Sequence, residues 1–270
     1  MRVFIELAYD GTNYHGWQRQ PVSITVQQVL EAALTKMCGS TCPVVGCGRT
    51  DAEVHASYFV AHADLPDYED EDSPKPRFES LNQLAFKLNG MLDSDVAIYS
   101  ITEVGDKAHA RFDAQERSYT YLIHNQKDPF LVGRSARIYG DLDVEAMLNS
   151  ARHLIFRGDF AAFCKTGSDV KTTICDVRKL EIIKDGESRF RFEISADRYL
   201  RNMVRAIIGT LIEVGKGKMT EQEFIAVIAS CNRSEAGRSA PGCGLYLSRV
   251  DYPKDVFCSK VLITNGIIAK

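Results

Sequence analysis

Residues 46 to 56 read Gly46-Cys47-Gly48-Arg49-Thr50-Asp51-Ala52-Glu53-Val54-His55-Ala56. Two glycines bracket Cys47, so the backbone can turn tightly there. A cation, a hydroxyl and a carboxylate follow in succession. An aspartate held in such a turn, with Arg49 two positions away, is expected to stay ionised at neutral pH. An ionised, positioned carboxylate is a nucleophile or a general base. The plain alternative is a surface turn in which the aspartate bonds its own backbone.

The elements around this stretch place it between strands. Residues 2 to 9 alternate, with Val3, Ile5 and Leu7 on one face, as in a half-buried strand. Residues 9 to 20 form a polar loop holding Tyr9, Tyr14 and Trp17, the chain's one tryptophan. Interleaved aromatics, amides and a cation suit a single-stranded nucleic-acid surface; aromatics packed on the core are the alternative. Thr25-Val26-Gln27-Gln28 reads as a capping box opening a helix that Gly39 closes. Val44-Val45 and residues 57 to 65 are expected strands on either side of Asp51.

Farther on, Leu81, Leu84 and Leu88 mark a helix ending at Asn89-Gly90, and residues 96 to 102 a strand. Gly105-Asp106 is the expected joint between two α+β units, 1–105 and 106–270. In the second unit, residues 117 to 123 alternate as a strand, and Asp143 caps a helix running to Ile155. Residues 177–183 and 190–195 form a hairpin around Lys184-Asp185-Gly186-Glu187. Leu200 to Val214 reads as a strong helix stopped by Gly215, with Arg198, Arg201 and Arg205 on one side. Thr220-Glu221-Gln222-Glu223 is a second capping box. Leu245-Tyr246-Leu247 is apolar and the tail is loosely patterned.

Composition narrows the class. The chain has 270 residues, 45% of them hydrophobic, enough for one large core or two smaller ones. It lacks any run of about 18 apolar residues, and Met1 leads straight into the first strand, so no membrane span or signal peptide is expected and the protein reads as cytoplasmic. The 8 cysteines include no Cys-x-x-Cys pair, so neither a metal site nor a disulfide framework is expected. Net charge is −3, but residues 64 to 79 hold seven acids against Lys75 and Arg77, leaving the remainder at +2. Basic residues concentrate at 107–137 and at 189–205, where a phosphate backbone could lie.

Several short motifs occur in a fixed order: Tyr-Asp-Gly-Thr-x-Tyr-x-Gly-Trp-Gln (9–18), Thr-Val-Gln (25–27), Gly-Arg-Thr-Asp-Ala-x-Val-His-Ala (48–56), His-Ala-Arg-Phe (109–112), Arg-x-Tyr-x-Tyr (117–121), Met-Val-Arg (203–205) and Ala-Pro-x-x-Gly-Leu (240–245). In this order they make the chain resemble the TruA family of tRNA pseudouridine synthases over nearly its whole length. One departure lies in the signature: the family usually has glycine where this chain has Glu53. Glycine would permit positive φ there and glutamate disfavours it, so either an ordinary backbone or a slightly altered turn is expected.

The resemblance implies two ferredoxin-like (RRM-like) halves, with antiparallel sheets joined across a central cleft and helices outside. It implies isomerisation of uridine to pseudouridine at positions 38, 39 and 40 of the tRNA anticodon stem-loop, with no cofactor or metal. It implies a homodimer with tRNA as partner. Asp51 matches the catalytic aspartate; its role is open between attack at C1′, attack at C6 and removal of a sugar proton. Tyr119 matches the active-site tyrosine, Arg205 the basic partner of the aspartate, Arg49 the arginine that keeps the target base flipped out, and Leu245 an apolar pocket residue. His55, His109 and His124 are expected to be structural. Segments 9–20 and 126–140 are the candidates for tRNA contact. Two other classes stay in view: a non-catalytic RNA-binding protein, and a nucleoside hydrolase, which would want a second placed carboxylate.

Overall fold

The computed structural model describes residues 1–66 and 75–257. The middle of the acidic segment and the tail beyond Phe257 lie outside the described residues. The chain is a mixed α+β protein. Its strands are β1 (Arg2–Tyr9), β2 (Val44–Gly46), β3 (His55–Asp64), β4 (Val96–Glu103), β5 (Glu116–His124), β6 (Ala136–Arg137), β7 (Arg157–Asp159), β8 (Ile174–Asp185), β9 (Arg189–Ala196) and β10 (Leu245–Asp251). Its helices are α1 (Val26–Cys38), α2 (Leu81–Asn89), α3 (Val144–Arg152), α4 (Met203–Gly215) and α5 (Glu221–Ser230).

The strands join in one sheet, in the order β4-β1-β3-β10-β5-β9-β8-β7, with β2 on β3 and β6 on β5. Pairing is antiparallel except for β3 with β10 and β5 with β6. The late strand β10 therefore occupies the middle. It meets β3 through Tyr246 opposite His55 and Leu247 opposite Ala56. On its other edge it runs against β5, from Leu245 opposite Tyr121 to Asp251 opposite Glu116. The sequence pattern marks only three apolar residues here. Strand β3 shares its outer edge: Ala61 to Ala63 bind β2, and His55 and Ala56 bind β10. The connection from β2 to β3, which holds Asp51, thus projects over the seam where β10 begins.

Local chemistry explains most element ends. Thr25 accepts from the Gln28 N–H at 3.4 Å, and Gly39, at φ 76°, ends α1 in the left-handed region. The reciprocal half of the expected capping box, from the Gln28 side chain back to the Thr25 N–H, is absent among the described residues; the neighbouring Gln27 donates from its amide to the Val44 carbonyl at 3.0 Å. At α5 the box is complete, Thr220 and Glu223 bonding each other's backbone. Helix α4 begins at Met203 rather than Leu200, because Asn202 sits at φ 66°, outside helical space. Arg198 and Arg201 therefore lie before the helix, and the expected stripe of arginines on one side of it does not form. Gly215 is the last residue of α4 rather than a stop: a Cβ there would collide with Met147 of α3.

The loop from 9 to 20 turns its aromatics inward. Tyr9, Tyr14 and Trp17 are 3%, 6% and 2% exposed, so they offer no faces to a nucleic acid. Trp17 stacks on Phe59 with ring centroids 4.1 Å apart. Gly46 is small for this reason: a Cβ would come within 2.6 Å of the indole and 2.7 Å of the Phe59 ring. Neither Gly46 nor Gly48 has a positive φ; the left-handed residue of the connection is Glu53, at φ 64°.

That connection is clamped from both sides. Trp17 N–H donates to the Thr50 carbonyl at 3.3 Å, and Glu53 N–H to the Tyr14 carbonyl at 3.3 Å. The hydroxyls of Tyr9 and Thr50 are 2.9 Å apart. Three glycines make the approach possible. A Cβ on Gly11 would strike the Val54 carbonyl, one on Gly16 the Thr50 carbonyl, and one on Gly242 would lie 2.5 Å from the Ala52 carbonyl. The turn keeps the left-handed geometry that glycine would prefer, and Glu53 adopts it under that clamp.

Two stability predictions follow from this packing. Trp17→Ala empties a buried stacked site and should lose about 3–5 kcal/mol in urea unfolding followed by circular dichroism; a loss under about 1 kcal/mol would contradict the stacked core. Glu53→Gly relieves an L-residue in the left-handed region and should gain up to about 1 kcal/mol, whereas Glu53→Val should lose about 1 kcal/mol or more. The opposite order of the two variants would mean that this φ is not what residue 53 experiences.

Candidate active site

Asp51 presents a carboxylate that is 31% exposed, and Arg205 reaches it: Nη1 donates to Oδ2 at 3.0 Å. The two residues are 154 positions apart in the chain. Arg205 is held before it meets the acid. Its Nε donates to the Ala240 carbonyl at 2.7 Å, and its own carbonyl accepts from the Ala240 N–H at 2.9 Å. The guanidinium is thereby fixed at the first turn of α4 with its Nη1 turned to Asp51. Among the described residues no other side chain donates to Asp51. Arg49, expected to be its nearby cation, instead is exposed, with no ion pair or side-chain hydrogen bond among the described residues. The charge beside the carboxylate comes from the far part of the sequence, not from the residue two positions away.

Tyr119 stands on β5 opposite Leu247 and Ile194. Its ring packs edge-on against Tyr199, with centroids 5.1 Å apart at 90°. Burial, together with the nearby Cys47 thiol and the Asp51 charge, pushes its phenol well above the usual range, against the pull of Arg117. The hydroxyl therefore stays protonated at neutral pH, and it has no hydrogen-bond partner among the described residues. Leu245 opens β10, is 6% exposed and faces Tyr121 in register. Tyr121 in turn donates to the Pro241 carbonyl at 2.8 Å, which ties the 240–244 loop down beside Arg205. Asp51, Arg205 and Tyr119 are thus brought together at the seam between β3, β10 and β5, with Leu245 in the packing under it.

The histidines serve the framework. His55 Nδ1 accepts from the Gly11 N–H at 3.0 Å and its Nε2 lies 3.2 Å from the Cys243 carbonyl, which assigns the Nε2–H tautomer. Asp10 Oδ1 is 3.1 Å from the same Nδ1; with that nitrogen accepting, this is a contact rather than a hydrogen bond. His55 also stacks on Tyr246 at 4.5 Å, so it fastens the end of the Asp51 turn to β10. His62 accepts from the Ala110 N–H at 3.1 Å and is pushed down to about 4, first by burial and then by His109 and Arg2. His124 bonds Ser135 at 2.9 Å.

One residue with a large part in the site had no role assigned from the sequence. Arg117 makes five side-chain hydrogen bonds, all to backbone carbonyls: Cys47 twice (3.2 and 3.0 Å), Ala114 (3.2 Å), Asp197 (3.0 Å) and Arg111 (2.5 Å). It draws together the Asp51 connection, the 109–114 turn and the segment before α4. Its membership of Arg-x-Tyr-x-Tyr was the available signal. No group of three or more possible metal ligands occurs among the described residues, and no helix there is long and apolar enough to cross a membrane.

The comparisons with known proteins agree on one family. The pattern that defines tRNA pseudouridine synthases matches residues 7–113 and 151–253. A protein of Bacteroides thetaiotaomicron named tRNA pseudouridine synthase A is 48% identical over 258 residues, 95% of this chain and 92% of that protein. Proteins of the same name from Bacteroides fragilis and Ruminiclostridium cellulolyticum are 46% and 37% identical, covering 95% and 93% of this chain and 98% and 99% of their own lengths. With an aspartate and an arginine from opposite ends of the chain paired on a clamped turn, and relatives matching along nearly its full length, the chain belongs to the tRNA pseudouridine synthase family.

Proposed function

We propose that the protein converts uridine to pseudouridine at positions 38, 39 and 40 of the tRNA anticodon stem-loop, with Asp51 as the nucleophile. The observation that carries this reading is the Asp51–Arg205 pair, 3.0 Å long and partly open to solvent. A protein that only bound RNA would have no use for a half-exposed carboxylate on a rigid turn.

The reaction is an isomerisation. The N1–C1′ bond breaks, the base rotates, and C5 joins C1′; the proton lost at C5 is balanced by one gained at N1. No group donor is needed. Attack by Asp51 would hold one fragment while the other turns. Arg205, anchored on Ala240, aims the carboxylate and leaves its second oxygen for the substrate. Tyr119, with a protonated hydroxyl and a ring fixed by Tyr199, is positioned to stack on the target base and to carry a proton. The nucleotide must leave the stem for its C1′ and C5 to be reached. Arg49, exposed and two residues from Asp51, is the side chain we assign to keep it out.

The same reading has two ferredoxin-like halves, 1–105 and 106–270, a homodimer and a cytoplasmic location. The two-half organisation is supported by β1-α1-β2-β3-α2-β4 and β5-α3-β8-β9-α4-β10. Each runs strand-helix-strand-strand-helix-strand with its first strand between its fourth and third. For tRNA contact, segment 126–140 is the better candidate, since Phe130, Val132 and Tyr139 are exposed there, whereas the aromatics of 9–20 are buried.

The test is pseudouridine formation in an unmodified tRNA transcript bearing uridine at these positions. Wild type should form product. Asp51→Asn, at equal occupancy by tRNA, should form none above background. Arg205→Lys keeps a charge but loses the fixed fork, and should drop kcat by about 10²-fold with little change in binding. Tight binding by wild type without product, across several tRNAs, would turn the assignment toward an RNA-binding protein; release of free uracil would turn it toward nucleoside hydrolysis.

A further inference from the structure

Arg117 does more than tie loops. Each of the three segments it gathers carries a second arginine beside the carbonyl it holds. Arg111 supplies its own carbonyl, Arg198 follows Asp197, and Arg49 lies two residues after Cys47. None of these three side chains has an acidic partner or a hydrogen bond among the described residues. Asp197, next to Arg198 in the chain, turns its Oδ1 to the N–H groups of Asp176 and Arg198, both at 2.7 Å, and forms no ion pair among the described residues. Arg117 itself is satisfied by carbonyls alone, so it adds a positive charge with no carboxylate to offset it. The crowding is felt at Arg111, whose pKa is lowered by burial and by the charges of Arg49, Arg117 and Arg198. Elsewhere the protein pairs its arginines readily: Arg2 with Asp64, Arg178 with Glu116 and Asp176, Arg189 with Asp128.

We propose that Arg111 and Arg198, held together by the Arg117 guanidinium, form a binding site for a single RNA backbone phosphate next to the nucleotide presented to Asp51. The inference rests on the function proposed above. The charges of Arg49, Arg117 and Arg198 act on Arg111, none of the four forms an ion pair among the described residues, and a bound anion relieves that repulsion. The planar fork of each guanidinium matches phosphate oxygens in bidentate geometry. The place selects the source of the phosphate. One carbonyl held by Arg117 belongs to Cys47, four residues before Asp51 on the same connection, so the bound phosphate belongs to the strand whose uridine is being rearranged. Arg117 is a positioning residue here: its five bonds fix the separation of the other two arginines.

The experiment measures tRNA affinity against salt for wild type, Arg111→Gln, Arg198→Gln, the double variant, and Lys184→Gln on the exposed β8–β9 hairpin as a control. Neither arginine makes a side-chain hydrogen bond or ion pair among the described residues, and Arg111 only overlies the neighbouring Phe112 ring, 5.8 Å from its centroid, so the variants should fold, as circular dichroism will verify. A phosphate lost from the interface lowers the log–log salt slope by about 0.7–0.9. The double variant should lose no more than that amount, because both arginines serve one phosphate. KM for the transcript should rise several-fold in each single variant while kcat stays within about twofold. Lys184→Gln should leave slope and KM unchanged. An unchanged slope in the double variant would overturn the proposal. So would a loss near twice the single-phosphate value, which would mean two separate contacts, or an equal loss with Lys184→Gln. If wild type makes no pseudouridine yet the slopes change as expected, the anion site stands and the assigned reaction fails.

Discussion

The pairing of Asp51 with Arg205 is the contact on which the site depends, and it is a consequence of strand order. Asp51 belongs to a connection that projects past the edge of β3; Arg205 belongs to a helix that packs over the other part of the sheet. They meet because β10 lies between β3 and β5 and brings the 240–244 loop, with the Ala240 carbonyl, under the guanidinium. Only two residues of β3 pair with β10, yet that short parallel contact sets the seam. His55 reinforces it, bonded to Gly11 and Cys243 and stacked on Tyr246. An ion pair of this kind in a half-open site adds little net stability. Its value is in orientation, since a carboxylate with one oxygen held by a fixed guanidinium has a defined direction.

The turn that carries Asp51 obeys a second constraint, that of space. Backbone carbonyls at Thr50, Ala52 and Val54 are approached so closely by Gly16, Gly242 and Gly11 that a methyl group on any of the three would displace the turn. The buried Trp17 and Tyr14 belong to the same arrangement: they support the connection from beneath instead of meeting RNA. Rigidity is supplied by buried residues beneath the turn, and the residue that bears the conformational strain, Glu53, lies two positions from Asp51.

Much of this was legible in the sequence, for identifiable reasons. Short-range signals worked where the physics is short-range: Thr25 and Gly39 bound α1, Thr220 with Glu223 opens α5, and alternation marks β1, β5 and the β8–β9 hairpin. Asp51, Tyr119 and Arg205 were nominated through ordered motifs, and the structure places them together. What could not be read was long-range pairing. Alternation reports that a strand is half buried but not which strand lies beside it, so the central place of β10 was hidden in three apolar residues. The hydrophobic run at 200–214 did not show that Asn202 would leave helical space, and so the arginines before it were assigned to a helix face that does not exist. The loop aromatics fit two readings, and only packing against Phe59 separates them. Arg117 stayed without a role because its partners are carbonyls, which every residue type offers equally.

The position of β10 also bears on how the protein comes to exist. Synthesis delivers β1 to β9 before the strand that belongs between β3 and β5, so until β10 is made the residues it pairs, His55 and Ala56 on β3 and Glu116 to Tyr121 on β5, lack that partner. Open strand edges invite pairing with other chains. The same ordering keeps the two members of the ion pair apart until the seam closes, since the loop that braces the arginine is made immediately before the closing strand. A product truncated ahead of residue 245 would therefore be an aggregation hazard and not a weakened enzyme, because no subset of the earlier strands assembles the site on its own.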